Sequence, residues 1–199
     1  MNYFIYGGGG HAKVVLEAMQ LSNLKCKGFI DDKAIDSHMN LPVYDLAFLS
    51  SKKYKKLTIH IAVGDCLARA KISSALNNFL FFSVFHPQAI ISNSAVLGMG
   101  SFFAAGSIVG PDAQVGMHSI VNHHAIVDHD CIVGDFCHIA PHASLGGGVS
   151  VGKGVLIGTG AIVLPGIKIA DYATVGAGSV VTHDIESSST VIGNPARAI

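Results

Sequence analysis

Large apolar residues recur at every sixth position through the second half of the chain. From Ile91 to Val181 this gives sixteen positions, and each carries a large apolar side chain. The position four residues further on is mostly small. One large and one small inward side chain per six residues predict a short strand and a turn, and three such units close a triangular coil of eighteen residues. Residues 91–186 are therefore predicted to form a parallel β-helix.

The corners of this β-helix are predicted from the residue that follows each large apolar position. That residue is often Gly, Asn or Asp, as at Gly98, Asn122 and Asp128. These types tolerate a positive φ angle, so we expect them to form the turns. Coils stack at the strand spacing of about 4.8 Å, so residues eighteen apart should share a column. His124 and His142 are one such pair.

The start of the chain has a different pattern. An apolar run at residues 3–6 precedes four glycines and an amphipathic stretch at residues 12–20, which predicts a strand, a glycine-rich turn and a helix. Further strands are predicted at residues 27–30, 57–64 and 79–85, and a second helix at residues 66–77.

Together these patterns predict an α/β + β fold, with a small Rossmann-like domain followed by a parallel β-helix. We assign residues 1–86 to the Rossmann-like domain, 87–186 to the β-helix and 187–199 to a tail. Open ends of a β-helix invite edge pairing. We therefore expect the α/β domain to cap one end and the tail to cap the other.

Composition narrows the classes of partner. Thirteen Lys and Arg balance thirteen Asp and Glu, so we expect no binding to nucleic acid or to an anionic membrane. No apolar run approaches the roughly 20 residues of a membrane-spanning helix. The first residues lack the pattern of a signal peptide, which leads us to expect a cytoplasmic protein. Four cysteines without CxxC spacing are expected to be buried small residues.

The glycine-rich turn carries the first candidate chemistry. Gly7 to Ala12 matches G-x-G-x-x-A, and the second predicted strand ends in Asp31 and Asp32. Such a turn lets backbone N–H groups approach a phosphate, while an acidic side chain meets a ribose. About 85 residues provide one mononucleotide-binding half, which favours a nucleotide-linked substrate over NAD. The alternative is that the glycines only permit close packing of strand against helix.

Histidines carry the second candidate chemistry, because six of the eleven fall within 25 residues. His129 and Asp130 should project outward at a corner, and His138 should point outward from a strand. Gly147 lies one coil above His129, which leaves room there for a ligand. The six are His118, His123, His124, His129, His138 and His142.

The segments VDHDC, GDFCHIAPHASLGGGV and IGTGAIVLPGI, with YGGGGHAK and FIDD near the start, give a specific resemblance. The chain is similar over essentially its whole length to the sialic-acid O-acetyltransferase and bacillosamine N-acetyltransferase group of bacterial sugar acyltransferases. The left hand of the β-helix is implied by this resemblance and is an exception to the usual right-handed crossover.

The resemblance also implies roles for individual residues. His129 takes the place of the general base that deprotonates the acceptor as it attacks the thioester of acetyl-CoA, and Asp130 stands where bacillosamine enzymes carry a glutamate. His138 matches a residue beside the thioester, and Arg197 is a candidate for a cofactor phosphate on charge grounds. Backbone contacts to the pantetheine arm are implied for Thr159 and Ala177. Contacts to a uridine nucleotide are implied for Gly9, Gly10, His11, Asp31, Asp32 and Gly64.

The function expected from this resemblance is acetyl transfer from acetyl-CoA to a nucleotide-activated amino sugar in surface-glycan biosynthesis. We favour N-acetylation of a UDP-4-amino-6-deoxy sugar, and O-acetylation of sialic acid is the main alternative. We expect a homotrimer with active sites between subunits, so that a stable monomer is inactive. Flat aliphatic faces of the β-helix are suited to such packing.

Two other classes of protein share part of this pattern. Zinc hydratases of the γ-carbonic anhydrase type share the β-helix and use three histidines. The positions two coils before His118, His123, His124 and His129 hold no histidine, so we expect no metal; they are Phe82, Pro87, Gln88 and Asn93. A scaffold without catalytic activity is the other alternative, which explains the inward columns but not the outward histidines.

Overall fold

A computed structural model describes residues 1–32, 37–50, 56–186 and 188–199. Its first part is a six-stranded sheet in the order β3-β4-β2-β1-β5-β6, parallel except for the pair β3 and β4. Helices α1 (Gly10–Leu21) and α2 (Cys66–Ala75) and a 3₁₀ turn (Leu46–Ser50) accompany it. The strands are β1 Asn2–Tyr6, β2 Cys26–Ile30, β3 Ser37–His38, β4 Leu41–Tyr44, β5 Leu57–Ile61 and β6 Leu80–Phe81.

The strands predicted at residues 3–6, 27–30 and 57–64 are confirmed, and so are both predicted helices. The prediction of a single strand at residues 79–85 is wrong. That segment contains β6, which pairs with β5, and β7 (Val84–Phe85), which pairs with Phe102–Phe103 of the β-helix. Ser83 lies between the two strands, so the chain passes from one sheet to the other within three residues. An apolar run alone cannot reveal such a change of sheet.

The remaining strands form the three faces of a left-handed parallel β-helix, as predicted. Through Val181, neighbours on a face are parallel and eighteen residues apart, as in the pair Phe102 and Ile120. At the end of face 1, Thr190 lies beside Thr174, sixteen residues away, and Val191 and Ala198 pair in the antiparallel direction. Face 1 contains β7 and β10 Phe102–Phe103, β13 Ile120–Val121, β16 His138–Ile139, β19 Leu156–Ile157, β22 Thr174–Val175, β24 Thr190–Ile192 and β25 Arg197–Ala198. Face 2 contains β8 Ile90–Ile91, β11 Ile108–Val109, β14 Ile126–Val127, β17 Ser144–Leu145, β20 Ile162–Val163 and β23 Val180–Val181. Face 3 contains β9 Val96–Leu97, β12 Gln114–Val115, β15 Ile132–Val133, β18 Ser150–Val151 and β21 Lys168–Ile169.

The predicted inward columns form the core of the β-helix. Its buried cluster runs from Phe103 to Val191 and contains the large residues of the sixfold repeat with the small residues between them. Cys131 and Cys137 are among the small buried residues, and all four cysteines are free thiols. The repeat is therefore a packing pattern, in which large and small side chains alternate around each coil.

The predicted reason for glycine after each large apolar residue is wrong. Positive φ angles occur two positions later, as at Gly100, His118 and Asp130. The glycine itself is needed because the next coil passes close by: a Cβ at Gly110 would lie 2.7 Å from the backbone nitrogen of His129. Asp128, at the equivalent position, accepts a hydrogen bond from that nitrogen with its carboxylate at 2.8 Å.

The α/β domain covers the first rungs of face 1. The outward residues Val84, Phe102 and Ile120 are buried against the apolar side of α1. His138 is the next outward residue in this column and is only partly buried. The edge of the α/β domain therefore falls at His138, and the later rungs of face 1 are left open. Among the described residues, no helix has the length and apolar character needed to cross a membrane.

Candidate functional site

A cavity of about 610 Å³ lies where the edge of the α/β domain meets face 1. The segment from Gly64 to Leu67 forms one wall, and face 1 forms the other. Asp65 caps α2 there, because its side chain accepts a hydrogen bond from the Ala68 nitrogen at 2.7 Å. Three of the candidate cofactor residues line this cavity, namely His138, Thr159 and Ala177. Gly64, which the resemblance assigns to the nucleotide, lines it as well.

His138 is held on both ring nitrogens. Nδ1 lies 3.2 Å from the carbonyl oxygen of Gly64, and Nε2 lies 3.0 Å from the amide nitrogen of Asn122. A carbonyl oxygen only accepts, so Nδ1 carries the proton and Nε2 accepts from Asn122. Burial, and then the charge of Arg69, lower the pKa of His138 to about 4. The imidazole is therefore neutral at pH 7.

Asn122 is a site residue that sequence reasoning missed. Its Oδ1 accepts a hydrogen bond from the His123 nitrogen at 2.9 Å, which fixes the amide so that Nδ2 faces His138. Asn122 stands at the hexad position where glycine is the most frequent residue, which predicts a turn. Its place sixteen residues before an outward histidine, on the neighbouring coil of the same face, was the signal that could have identified it.

His11 connects this cavity to the glycine loop. Its ring lies 6.5 Å from the ring of His138 and 5.2 Å from that of Phe102, between centroids. Nε2 of His11 is buried and has no hydrogen-bond partner within the described part of the chain. Burial, and then the nearby His60 and His138, lower the pKa of His11 to about 3. A neutral imidazole with one unused nitrogen thus lies between the two predicted binding regions.

The glycine loop leads directly into the N-terminus of α1. Gly9 is the N-cap of α1, and both Gly9 and Gly10 are exposed with nothing near a Cβ position. Asp31 fastens the loop, because its Oδ2 accepts a hydrogen bond from the Gly8 nitrogen at 2.5 Å. Asp32 beside it is exposed. Of the two predicted acidic contacts, Asp31 supports the loop and Asp32 presents a carboxylate to solvent.

His129 and Asp130 form a pair at an exposed corner. Nδ1 of His129 donates a hydrogen bond to Oδ2 of Asp130 at 2.8 Å, and the two side chains are 59% and 66% exposed. This bond, and then the charge of Asp128, raise the pKa of His129. Because Nδ1 is engaged, the neutral ring keeps its lone pair on Nε2, where it can take up a proton.

The expectation of free space above His129 needs correction. A Cβ at Gly147 would lie 2.5 Å from both Cε1 and Nε2 of the His129 ring. The imidazole itself therefore occupies the space that the missing side chain leaves. The predicted stacking of His124 on His142 is confirmed, with centroids 5.2 Å apart and an interplanar angle of 8°.

The structure does not bring every candidate together within one chain. His129 follows β14 of face 2 and precedes β15 of face 3, so it lies at the corner between those faces. His138 belongs to face 1, which is opposite that corner in a three-sided prism. Arg197 is exposed in β25 and lines a second cavity with His183 and Glu186, apart from the cavity of His138.

Other buried histidines lie where the two parts of the chain meet. Nδ1 of His60 donates a hydrogen bond to the Phe82 carbonyl oxygen at 3.0 Å, and burial lowers the pKa of His60 to about 4. Because that partner is a carbonyl, Nδ1 is the donor. His118 contacts Ser73 of α2 at 3.0 Å, and burial followed by the charge of Arg69 lowers its pKa to about 4. The described residues contain no group of three or more His, Cys, Asp or Glu side chains placed to hold a metal ion.

Comparison with protein families gives two matches. Residues 2–76 match the PglD N-terminal domain, and residues 148–183 match the bacterial transferase hexapeptide (six repeats). Curated relatives from Staphylococcus aureus are 49% identical over 37 residues, and the chain spans 19% of their length.

Solved structures match over the whole chain. A variant of perosamine N-acetyltransferase from Caulobacter crescentus, in complex with CoA and GDP-perosamine, is 35% identical with a TM-score of 0.95, covering 100% of this chain and 97% of that one. The acetyltransferase domain of PglB from Neisseria gonorrhoeae, in complex with acetyl coenzyme A, is 34% identical with a TM-score of 0.93, covering 100% and 98%.

Proposed function

Because the chain belongs to the family of sugar acetyltransferases that join a PglD-type N-terminal domain to hexapeptide repeats, we propose that it N-acetylates a nucleotide-activated amino sugar with acetyl-CoA. The observation that carries the proposal is the pair His129 and Asp130, an exposed imidazole with an adjacent carboxylate and a lone pair on Nε2. Similarity over the full chain to an enzyme that binds CoA and GDP-perosamine supports the class of both substrates.

In the proposed reaction, the sugar amine attacks the thioester carbonyl carbon of acetyl-CoA. Nε2 of His129 takes the proton that the nitrogen releases as the new C–N bond forms. The C–S bond then breaks, and the CoA sulfur leaves as a thiol by taking that proton from the His129 imidazolium, which restores the neutral base. Asp130 stabilises the imidazolium that forms in between, since its carboxylate accepts the hydrogen bond from Nδ1.

The cavity beside His138 is proposed to take the pantetheine arm and the thioester. Its walls are formed largely by the apolar surface of face 1, with Thr159 and Ala177 at two successive rungs. A narrow arm that carries amide groups suits such a groove, because exposed backbone at the corners can bond to the amides. Arg197 lies apart from this cavity, and its proposed contact to a cofactor phosphate rests on its charge alone.

The proposal requires a second copy of the chain. Within one prism His129 lies opposite face 1, so the base of one chain can meet the cavity of another only when prisms pack side by side. Outward aliphatic residues on face 2 suit such packing, and Ile90 and Ile162 are 62% and 45% exposed in the single chain. We therefore propose a homotrimer with the site between subunits.

The acceptor is proposed to bind at the glycine loop through its nucleotide. Gly9 and Gly10 offer backbone N–H groups at the start of α1, and Asp32 offers a carboxylate for a ribose or base. We favour a UDP-4-amino-6-deoxy sugar on the resemblance. Because the perosamine enzyme binds a GDP sugar, the test compares sugars linked to different nucleotides. A place in surface-glycan synthesis in the cytoplasm is part of the same proposal.

The test is release of free CoA thiol from acetyl-CoA with a panel of acceptors. The panel contains UDP-, GDP- and dTDP-linked 4-amino-6-deoxy sugars and sialic acid, and mass spectrometry identifies the product. We expect turnover with one nucleotide-linked amino sugar and an N-acetyl product. Turnover with sialic acid alone would replace the proposal by O-acetylation, and no thiol release with any acceptor would refute it.

A further inference from the structure

Arg69 of α2 is a fully buried cation, with 1% of its surface exposed. Its guanidinium hydrogen-bonds to backbone carbonyl oxygens at 2.7 to 3.3 Å. A buried charge is costly unless its donors are satisfied. Here the rigid fork of donors meets six oxygens in fixed positions, which belong to Val63, Gly64, Asp65, His118, Phe136 and Cys137.

These oxygens come from two separate parts of the chain. Val63 to Asp65 form the loop that leads into α2, whereas His118 and the pair Phe136 and Cys137 lie on adjacent coils of the β-helix. Cys137 directly precedes His138. One guanidinium therefore fixes the loop and the neighbouring β-helix strand relative to each other.

The Gly64 carbonyl is the point where this arrangement meets the proposed active site. It accepts from Nη1 of Arg69 at 3.0 Å and from Nδ1 of His138 at 3.2 Å. It is thus held in place by the guanidinium while it selects which nitrogen of His138 carries the proton. Asn122 contacts the ring from the other side, where its amide donates to Nε2.

We propose that Arg69 is a positioning residue: by holding the Gly64 carbonyl, it orients the His138 ring at the cofactor cavity and keeps it in the Nδ1–H form. The expected effect on acetyl-CoA binding rests on the proposed function. The effect on the ring of His138 is independent of any reaction. Lysine cannot replace arginine in this role, because a single ammonium group cannot reach both sets of carbonyl oxygens.

The test compares Arg69→Lys with the wild-type enzyme by nitrogen NMR of ¹⁵N-labelled histidine, with the His138 signals assigned from a His138→Gln spectrum. We expect the wild type to give a single Nδ1–H pattern and Arg69→Lys to give an average of both tautomers. We also expect KM for acetyl-CoA to rise roughly tenfold, as for loss of a hydrogen bond to a charged group, with a smaller change in kcat.

Ser73→Ala is the matched control. Ser73 lies on the same helix and contacts His118 at 3.0 Å across the same interface, but it does not touch Gly64. We expect this variant to lower the thermal midpoint without changing the His138 signals or KM. If Arg69→Lys behaves in the same way as Ser73→Ala, Arg69 only fastens the two parts of the chain and the proposal is wrong.

A second variant leaves Arg69 in place, in case Arg69→Lys does not fold. Asn122→Ala removes the donor to Nε2 but keeps the Gly64 carbonyl and its guanidinium. We expect His138 to remain in the Nδ1–H form in this variant. A mixed tautomer pattern would mean that Asn122, and not the Arg69 and Gly64 pair, sets the ring, which would overturn the proposal. Both NMR outcomes remain decisive even if the protein shows no acetyltransferase activity, because they report only the state of the His138 ring.

Discussion

Nδ1 of His129 and Oδ2 of Asp130 are joined by a hydrogen bond of 2.8 Å although the residues are neighbours in sequence. Successive side chains on a strand point to opposite faces, so a regular strand would separate them. Asp130 instead has a φ angle of 59°, in the left-handed region. The turn brings its carboxylate back to the ring of His129, so the aspartate side chain is long enough to reach Nδ1.

Replacing His129 by alanine should lower kcat by about 10² to 10⁴, the usual contribution of a general base. The side chain is exposed, so the thermal midpoint and acetyl-CoA affinity should stay close to those of the wild type. Steady-state kinetics and calorimetric titration measure the three quantities. His124→Ala, another exposed corner histidine, is the control and should keep full activity. Equal activity in both variants would remove His129 from the reaction.

Asp130→Asn should move the acid limb of the kcat/KM profile to lower pH. The carboxylate raises the pKa of His129, and the base works only when it is neutral, so its loss lets the ring stay neutral in more acidic solution. Asparagine tolerates the left-handed backbone, which limits the effect on folding. At pH 8 we expect activity to fall roughly tenfold. An unchanged acid limb would show that another group controls the profile.

Gly147→Ala should displace the His129 ring, because the new Cβ would lie 2.5 Å from its Cε1 and Nε2. A displacement of about 1 Å at a catalytic group costs roughly 10²-fold in rate. The double variant with His129→Ala provides the control. If the methyl group acts through the ring, adding it to His129→Ala should cause no further loss. Additive losses would point to an effect elsewhere.

The free energy of unfolding should fall as the pH is lowered below about 6.5. Burial lowers the pKa of His11 to about 3, and those of His60, His118 and His138 to about 4. Between these pKa values and 6.5 the unfolded chain binds more protons than the folded one. Each such histidine therefore lowers the free energy of unfolding by about 1.4 kcal/mol for every unit by which the pH falls. Above about pH 7 these four histidines are neutral in both the folded and the unfolded chain, so they should contribute no further slope. Urea unfolding from pH 5 to 8 measures this, and His118→Gln should reduce the slope. A flat profile from pH 5 to 7 would contradict the prediction.

Co-assembly of His129→Ala with His138→Ala should restore activity if the site lies between subunits. Each variant alone should be inactive or nearly so. In a random equal mixture, about one quarter of the sites would combine an intact base from one chain with an intact cavity from another. Refolding the variants together and measuring turnover tests this. No recovery in chains shown by mass spectrometry to have mixed would place the whole site within one subunit.

The sixfold pattern was enough to predict the β-helix, because each inward position is fixed by packing that repeats from coil to coil. It also predicted the stacking of His124 on His142, since a constant period sets the column. The reason for glycine after each large residue was not predictable in the same way. Positive φ is a property of the residue, whereas close approach of Gly110 to the next coil is a property of the stacked coils.

The amino-acid sequence by itself determined the two-part fold, the exposed corner with His129 and Asp130, and the family that implies their role. Local spacing is sufficient for these, because strand, turn and outward position all follow from the repeat. Only the tertiary structure decided that Asp31 fastens the glycine loop, that Asn122 and Gly64 hold His138, and that Arg69 connects them. These contacts join residues far apart in sequence, and their geometry depends on where the α/β domain ends on face 1.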